Sequence, residues 1–188
     1  MDEKKLIKRA LTDRSAFNEI VRLHYKEVFN YIYKRTLDRE LSKDLAQETF
    51  LRALKYLHSF KGKTPFIFYL LRIATNLIND HFKNEKRLRD IKDKHLNFVS
   101  AKRDAQSDSY DYSFVFDYLK KLPEIQQTVI TLVYFEDKSI KEAAIIMGRS
   151  YAVTRIILYR ALNNLKKEIK KILKIFKIFG LYIWKEGI

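Results

Sequence analysis

Between Phe60 and Lys83, aromatic rings and cations alternate at short intervals: Phe60, Lys61, Lys63, Phe66, Phe68, Tyr69, Arg72 and Lys83, with the amides of Asn76 and Asn79 among them. Rings offer stacking faces to unpaired bases, and lysine and arginine neutralise phosphates, so the combination suits single-stranded nucleic acid. The competing use of the rings is a core, and for Phe66 and Phe68 the two uses stand level. A pocket in the loop 60–65 would choose a base by hydrogen bonds. A second constellation, Arg149, Ser150, Tyr151, Ala152, Arg155 and Arg160, follows Gly148 at the start of an expected helix, where side chains reach base edges and phosphates. A third is Asp44, Gln47 and Glu48, which share one helical face at spacings of three and four. An acidic edge on a basic chain suits a basic protein partner; a merely solvated face is the alternative.

Nothing in the sequence offers bond-making chemistry. There is no cysteine, so disulfides, thiolate metal sites and cysteine nucleophiles are excluded. His24, His58, His81 and His95 lack metal-ligand spacing, and neither a glycine-rich phosphate loop nor a nucleophile elbow occurs. No catalytic residue, metal or cofactor is expected. The formal net charge is +15, spread as +7 over residues 1–83, +1 over 84–113, +2 over 114–165 and +5 over 166–188. Such an excess implies an anionic partner, nucleic acid or an acidic membrane surface. The start Met1-Asp-Glu-Lys-Lys has no apolar export signal, and no apolar run is long enough to span a bilayer, which leads to the expectation of a cytoplasmic protein.

Four glycines and two prolines against 32% charged residues favour long helices, so the expected class is all-α. A helix opening near Ser15 places Phe17, Ile20, Val21, His24, Val28, Tyr31 and Ile32 on one face. A second starts after Ser42, read as its N-cap, with Leu45, Thr49, Phe50, Ala53, Leu54 and Leu57 as its buried stripe. Thr64 and Pro65 are the N-cap and first-turn pair of a third, running to about Lys83. These three make a first domain, 1–83. Residues 84–113 mix polar side chains with few apolar ones and read as a linker. Apolar periodicity then resumes, and Pro123-Glu124 opens a helix ending near Phe135. Ser139 and Glu142 form a capping-box pattern, Gly148 permits the exit turn, and Ser150 can cap the next helix. The result is a helix-turn-helix from about Ser139 to Leu162, with Ala144 small enough for close crossing and Ile140, Met147, Val153, Ile157 and Ala161 as its expected core. It forms a second small helical domain, 114–165. Residues 166–188 extend the last helix as a basic amphipathic stretch. Packing against the protein's own domains or a regulator is the favoured use, and a membrane-surface contact the minority one.

These residues carry a family resemblance. Leu122-Pro123, Glu142-Ala-Ala144, Gly148, Ser150 and Arg160-Ala161 resemble the carboxy-terminal domain of bacterial sigma factors. The stretch from Asp44 through Gln47, Glu48 and Phe50 looks like the helix by which sigma factors grip core RNA polymerase; Phe60 to Gly62, then Leu70 through Arg72 and Asn76 to Asp80, look like the promoter-opening segment. Having two domains with none between them resembles the extracytoplasmic-function group. The resemblance implies a non-enzymatic protein that binds core RNA polymerase through Asp44, Gln47 and Glu48. Phe60, Lys61, Lys63, Tyr69, Arg72, Asn76, Asn79 and Lys83 would open and hold downstream promoter DNA. Arg149, Ser150, Tyr151, Ala152, Arg155 and Arg160 would hold the upstream element. An anti-sigma factor is expected by resemblance alone. The sequence departs from the pattern at Tyr69, where tryptophan is usual, at the reversed pair Val153-Thr154, and at Ile156-Ile157, where serine and arginine are common; upstream preference is expected to be altered or weak. Two other readings remain open: a free-standing helix-turn-helix regulator, and a membrane-surface interaction protein acting through the basic C-terminal helix.

Overall fold

A computed structural model describes residues 3–93 and 118–185, with side chains described for residues 3–88 and 118–170. The α-helices whose bounds are described are α1 Glu3–Ala10, α2 Arg14–Thr36, α3 Arg39–Lys55, α4 Phe66–Asp93, α5 Glu124–Ile130, α6 Ile140–Met147 and α7 Tyr151–Lys185. A 3-10 turn, Leu57–Ser59, follows α3, and a π-helical turn, Thr131–Phe135, follows α5.

The first half packs α2 against α1, α3 and α4. Its core takes Phe17, Ile20, Val28, Tyr31 and Ile32 from α2, and Leu45, Phe50 and Ala53 from α3, as the helical spacing predicts. α1 was not anticipated; it buries Leu6, Ile7 and Ala10 on α2. Ser42 is not the cap of α3. Asp38 is, its carboxylate accepting the Leu41 N–H at 2.9 Å, while Ser42 lies buried inside the helix and bonds to Thr36. Both residues are good caps by type; Leu37, which ends α2 in the left-handed conformation at φ 55°, makes Asp38 the entry point.

α4 begins at Phe66, one residue after the expected first-turn position of Pro65, and continues to Asp93, ten residues beyond Lys83 and into the stretch read as linker. The segment Asn84-Glu-Lys-Arg-Leu-Arg is polar yet strong in helix formers, and polar composition alone does not separate a solvated helical extension from a linker. Residues 94–113, the rest of that stretch, and 114–117 of the expected second domain lie outside the described residues.

In the second half α5, α6 and α7 enclose a smaller core of Leu119, Leu122, Val129, Ile130, Leu158 and Ala161. The capping box forms as read: Glu142 N–H donates to Ser139 Oγ, and Ser139 N–H donates to the Glu142 carboxylate at 2.8 Å. Gly148 takes φ 63°, and the N–H of Arg149 donates back to Ala144 O at 2.9 Å, closing the exit turn. That turn sets the phase of α7. Thr154, Leu158 and Ala161 face the core, whereas Val153 is 41% exposed and Ile157 only half-buried, so the expected core face is rotated by about one residue.

The two halves share apolar contacts. Leu132, Ala143 and Ile146 of the second half join the core of the first, and α6 lies on α4. Polar bonds cross beside them. The π turn, whose Glu136 N–H donates to Thr131 O at 3.0 Å, turns the chain so that Lys34 of α2 donates to Phe135 O at 2.7 Å and to Glu136 Oε1 at 2.9 Å. Lys138 donates to Glu27 at 3.1 Å and lies 5.8 Å from the Phe68 ring centroid. Arg35 is 3% exposed; its Nη1 donates to Thr128 Oγ1 at 2.6 Å, while Nε and Nη2 find no partner. α7, the second helix of the helix-turn-helix, runs without a break to Lys185, and the apolar and basic faces expected beyond Lys170 lie outside the described side chains. Among the described residues no helix is long and apolar enough to cross a membrane.

Candidate nucleic-acid interface

Three surfaces correspond to the three constellations. On α3, Asp44 and Gln47 are exposed side by side, with Leu51 exposed one turn further on. Glu48 is half-exposed and pairs with Arg52 at 2.6 Å, so part of the acidic edge is neutralised within its own helix. An exposed pair of this kind contributes little to stability and exchanges readily for a partner's cation.

The second surface is a cleft of about 550 Å³ between the loop after α3 and the first three turns of α4. Its aromatic wall rests on Phe66, which is fully buried, with Phe60 edge-on to it at 5.0 Å and Tyr69 tilted at 5.5 Å. Phe60 and Tyr69 are themselves 5.3 Å apart, and the Tyr69 hydroxyl donates to Tyr56 O at 3.2 Å, which holds the ring upright at the cleft edge. Phe66 is thus core, Phe68 is core with an edge on the cleft lining, and Phe60, Tyr69 and the exposed Tyr56 are the rings open to a ligand. Lys61, Lys63, Arg72 and Asn76 are exposed around the opening, with Arg52 of α3 and Tyr56, just past its end, also in the lining. Gly62, at φ 66° and with open space at its Cβ position, turns the loop so that both lysines flank the mouth. Rings on one wall and cations around the rim can stack a base and bind its phosphates.

Arg72, Asn76, Asn79 and Lys83 fall on one stripe of α4, but they do not act alike. Lys83 is exposed on the stripe beyond the cleft, while Asn79 is half-buried with a buried Oδ1 that finds no partner. Arg72 lies against the turn of the helix-turn-helix: a Cβ on Gly148 would stand 2.2 Å from its Nη2. Ile145 of α6 joins the cleft lining. Neither contact was foreseen, because both depend on how the second half docks on the first. Arg52 and Tyr56 were also missed; in the sequence their only signal is the helical spacing that places them one and two turns after Glu48.

On the third surface, Arg149 and Ser150 stand exposed at the entry to α7, and Ser150 Oγ accepts the Val153 N–H at 3.3 Å, capping the helix as expected. Tyr151, Ala152 and Arg155 are exposed on its first two turns and Arg160 on its third. Cations exposed in this way at a helix start can contact phosphates, and an exposed helix face can meet base edges.

Comparison with known proteins accounts for both halves. Residues 20–88 match Sigma-70 region 2, and residues 115–174 match Sigma-70, region 4. The chain is 30% identical over 169 residues to the RNA polymerase sigma factor YlaC of Bacillus subtilis, covering 84% of this chain and 94% of that protein. It is 31% identical over 170 residues to the ECF RNA polymerase sigma factor BldN of Streptomyces coelicolor, covering 87% of this chain and 64% of that protein. Among solved structures, the sigma factor RpoE of Bartonella quintana, determined with the anti-sigma factor NepR, has the same fold at a TM-score of 0.64 and 22% identity, covering 82% of this chain and 96% of that one. The chain belongs to the sigma-70 family of RNA polymerase sigma factors. Within it, the chain is of the extracytoplasmic-function type. A regulator acting through the helix-turn-helix alone would have no use for a region 2 domain, and the membrane-surface reading accounts for neither match.

Proposed function

We propose that this chain directs core RNA polymerase to a specific set of promoters and assists strand opening, using the three surfaces in concert. Asp44 and Gln47, with Glu48 released from Arg52, hold the polymerase. Phe60 and Tyr69 stack a base of the opened downstream element, with Lys61, Lys63, Arg72, Asn76 and Lys83 on the strand's phosphates; Asn79 has its amide on the same stripe. Arg149, Ser150, Tyr151, Ala152, Arg155 and Arg160 hold the upstream duplex. The observation that carries this reading is the presence on one chain, in order, of an acidic helix edge, a cation-rimmed aromatic cleft and a capped helix-turn-helix.

The protein supplies no bond-making group; the polymerase does the chemistry, and the site of action is the cytoplasm. Residues 1–83 serve the polymerase and the downstream element and residues 114–165 the upstream element, with the second half partly covering Arg72 and the cleft. An anti-sigma partner restrains the free protein. The tail beyond Lys166 packs on protein rather than lipid.

The test adds the purified chain to core polymerase and a library of AT-rich promoter fragments and sequences the run-off transcripts. Initiation confined to a subset with shared upstream and downstream elements is expected. Absence of specific initiation would defeat the reading.

A further inference from the structure

The outward face of the recognition helix is apolar at its centre. Thr154, Leu158 and Ala161 point into the core, so the opposite side of α7 is formed by Ala152, Ile156 and Tyr159. Ile156 is 51% exposed and Tyr159 68% exposed, with Arg155 and Arg160 to either side. Ile157 differs from its neighbour: it packs against the core of the second half. The isoleucine pair therefore divides, one member structural and one presented to whatever the helix meets.

On the edges of base pairs in the major groove, hydrogen-bond donors and acceptors dominate, and the one apolar group is the C5 methyl of thymine. Ile156 has no donor or acceptor. Pressed against guanine, adenine or cytosine it would cover polar edges without replacing their bonds to water, a penalty that thymine's methyl avoids. Ala152, one turn earlier on the same face, offers a second methyl-sized contact to an adjacent step. Arg155 and Arg160 flank this strip and anchor it through phosphates without reading sequence.

Building on the sigma-factor reading, we infer that Ile156, with Ala152 beside it, reads thymine methyl groups in the upstream promoter element and so selects thymine at one or two positions. Upstream preference here comes from apolar contact in place of hydrogen bonds. Tyr159 closes the strip and excludes water from the contact.

The experiment separates a methyl from everything else on the base. Upstream duplexes are selected with the full chain bound to core polymerase, and each thymine is replaced in turn by deoxyuracil, which lacks only the C5 methyl. Loss of one buried methyl is expected to weaken binding about fourfold at one or two positions. In Ile156→Ser, deoxyuracil and thymine should bind equally at the position Ile156 reads, while core-polymerase binding stays unchanged. Arg155→Ala should weaken all duplexes alike and leave the thymine preference intact. Binding indifferent to deoxyuracil at every position, or a preference that survives in Ile156→Ser and Ala152→Gly alike, would overturn the inference. If no specific initiation is found, the polymerase reading fails by itself, and the same substitutions in duplexes selected by the chain alone still decide the methyl contact.

Discussion

The guanidinium of Arg72 on α4 occupies the space that a side chain at Gly148 would fill: a Cβ there would come within 2.2 Å of Nη2 and 2.9 Å of Cζ. Gly148 also sits at φ 63°, where a Cβ is disfavoured whatever surrounds it. One glycine thus serves the turn inside the second half and the seat of the second half on the first.

Gly148→Ala is expected to cost two separable amounts. The left-handed backbone accounts for about 1–2 kcal/mol, and displacing the exposed, flexible end of Arg72 adds only a small further amount. In an Arg72→Ala background only the backbone part should remain. A double-mutant cycle in urea reads the difference, and costs that simply add would show that the two residues do not meet.

Arg35 and Thr128 form a buried pair in which one partner is under-satisfied. Thr128→Val removes the acceptor of Nη1 and should destabilise by about 1–3 kcal/mol, since a third guanidinium donor group is then buried without a partner. Arg35→Met, of similar length and without charge, should be neutral or stabilising, because burial of a guanidinium with two unpaired nitrogens is itself unfavourable. Urea unfolding of the two variants tests the contrast; equal losses would refute it.

Burial raises the Glu136 carboxyl above the ordinary glutamate range, and the hydrogen bond and charge of Lys34 offset this only in part. A raised folded value means that the folded state binds the proton more tightly. The contribution to stability is complete below the unfolded value, about pH 4.3, and is lost as pH rises through the folded value. Glu136→Gln should therefore gain stability relative to the parent as pH is raised across that interval. Glu142 behaves oppositely. The Ser139 hydrogen bonds lower its carboxyl, so its contribution is present above the unfolded value and lost as pH falls through the folded one. Glu142→Gln should lose its disadvantage in acid. Urea midpoints between pH 3 and pH 7 distinguish the two signs.

Replacing Asp44, Gln47 and Glu48 together by alanine should abolish binding to core polymerase and leave the fold intact. The three side chains are exposed or half-exposed and contribute no apolar burial; their one internal tie, Glu48 to Arg52, is an exposed ion pair contributing about 0.3–0.5 kcal/mol. Circular dichroism checks folding, and co-purification with core polymerase checks binding. Retained binding would remove α3 from the interface.

Features that depend on a few neighbouring residues were legible in the sequence. The capping box of Ser139 and Glu142, the turn at Gly148, the cap at Ser150 and the start of α4 after Pro65 all follow from local hydrogen-bond and dihedral requirements. The buried stripes of α2 and α3 followed from helical spacing. Choices between equivalent local solutions were not legible. Asp38 and Ser42 are both good caps, and the polar run after Lys83 suits helix and linker alike.

Spacing and side-chain chemistry were enough for the all-helical class, the acidic edge, the ring-and-cation cleft and the helix-turn-helix, because each lies within one or two successive elements. Packing decided which aromatic rings remain available: Phe66 and most of Phe68 went to the core, Phe60, Tyr69 and Tyr56 to the cleft. It also turned Ile156 outward and Ile157 inward, buried Arg35 against Thr128, and set Arg72 over Gly148. Residues 93 or 76 positions apart meet in those last two contacts, and no periodicity along a chain records which distant faces will exclude water from each other.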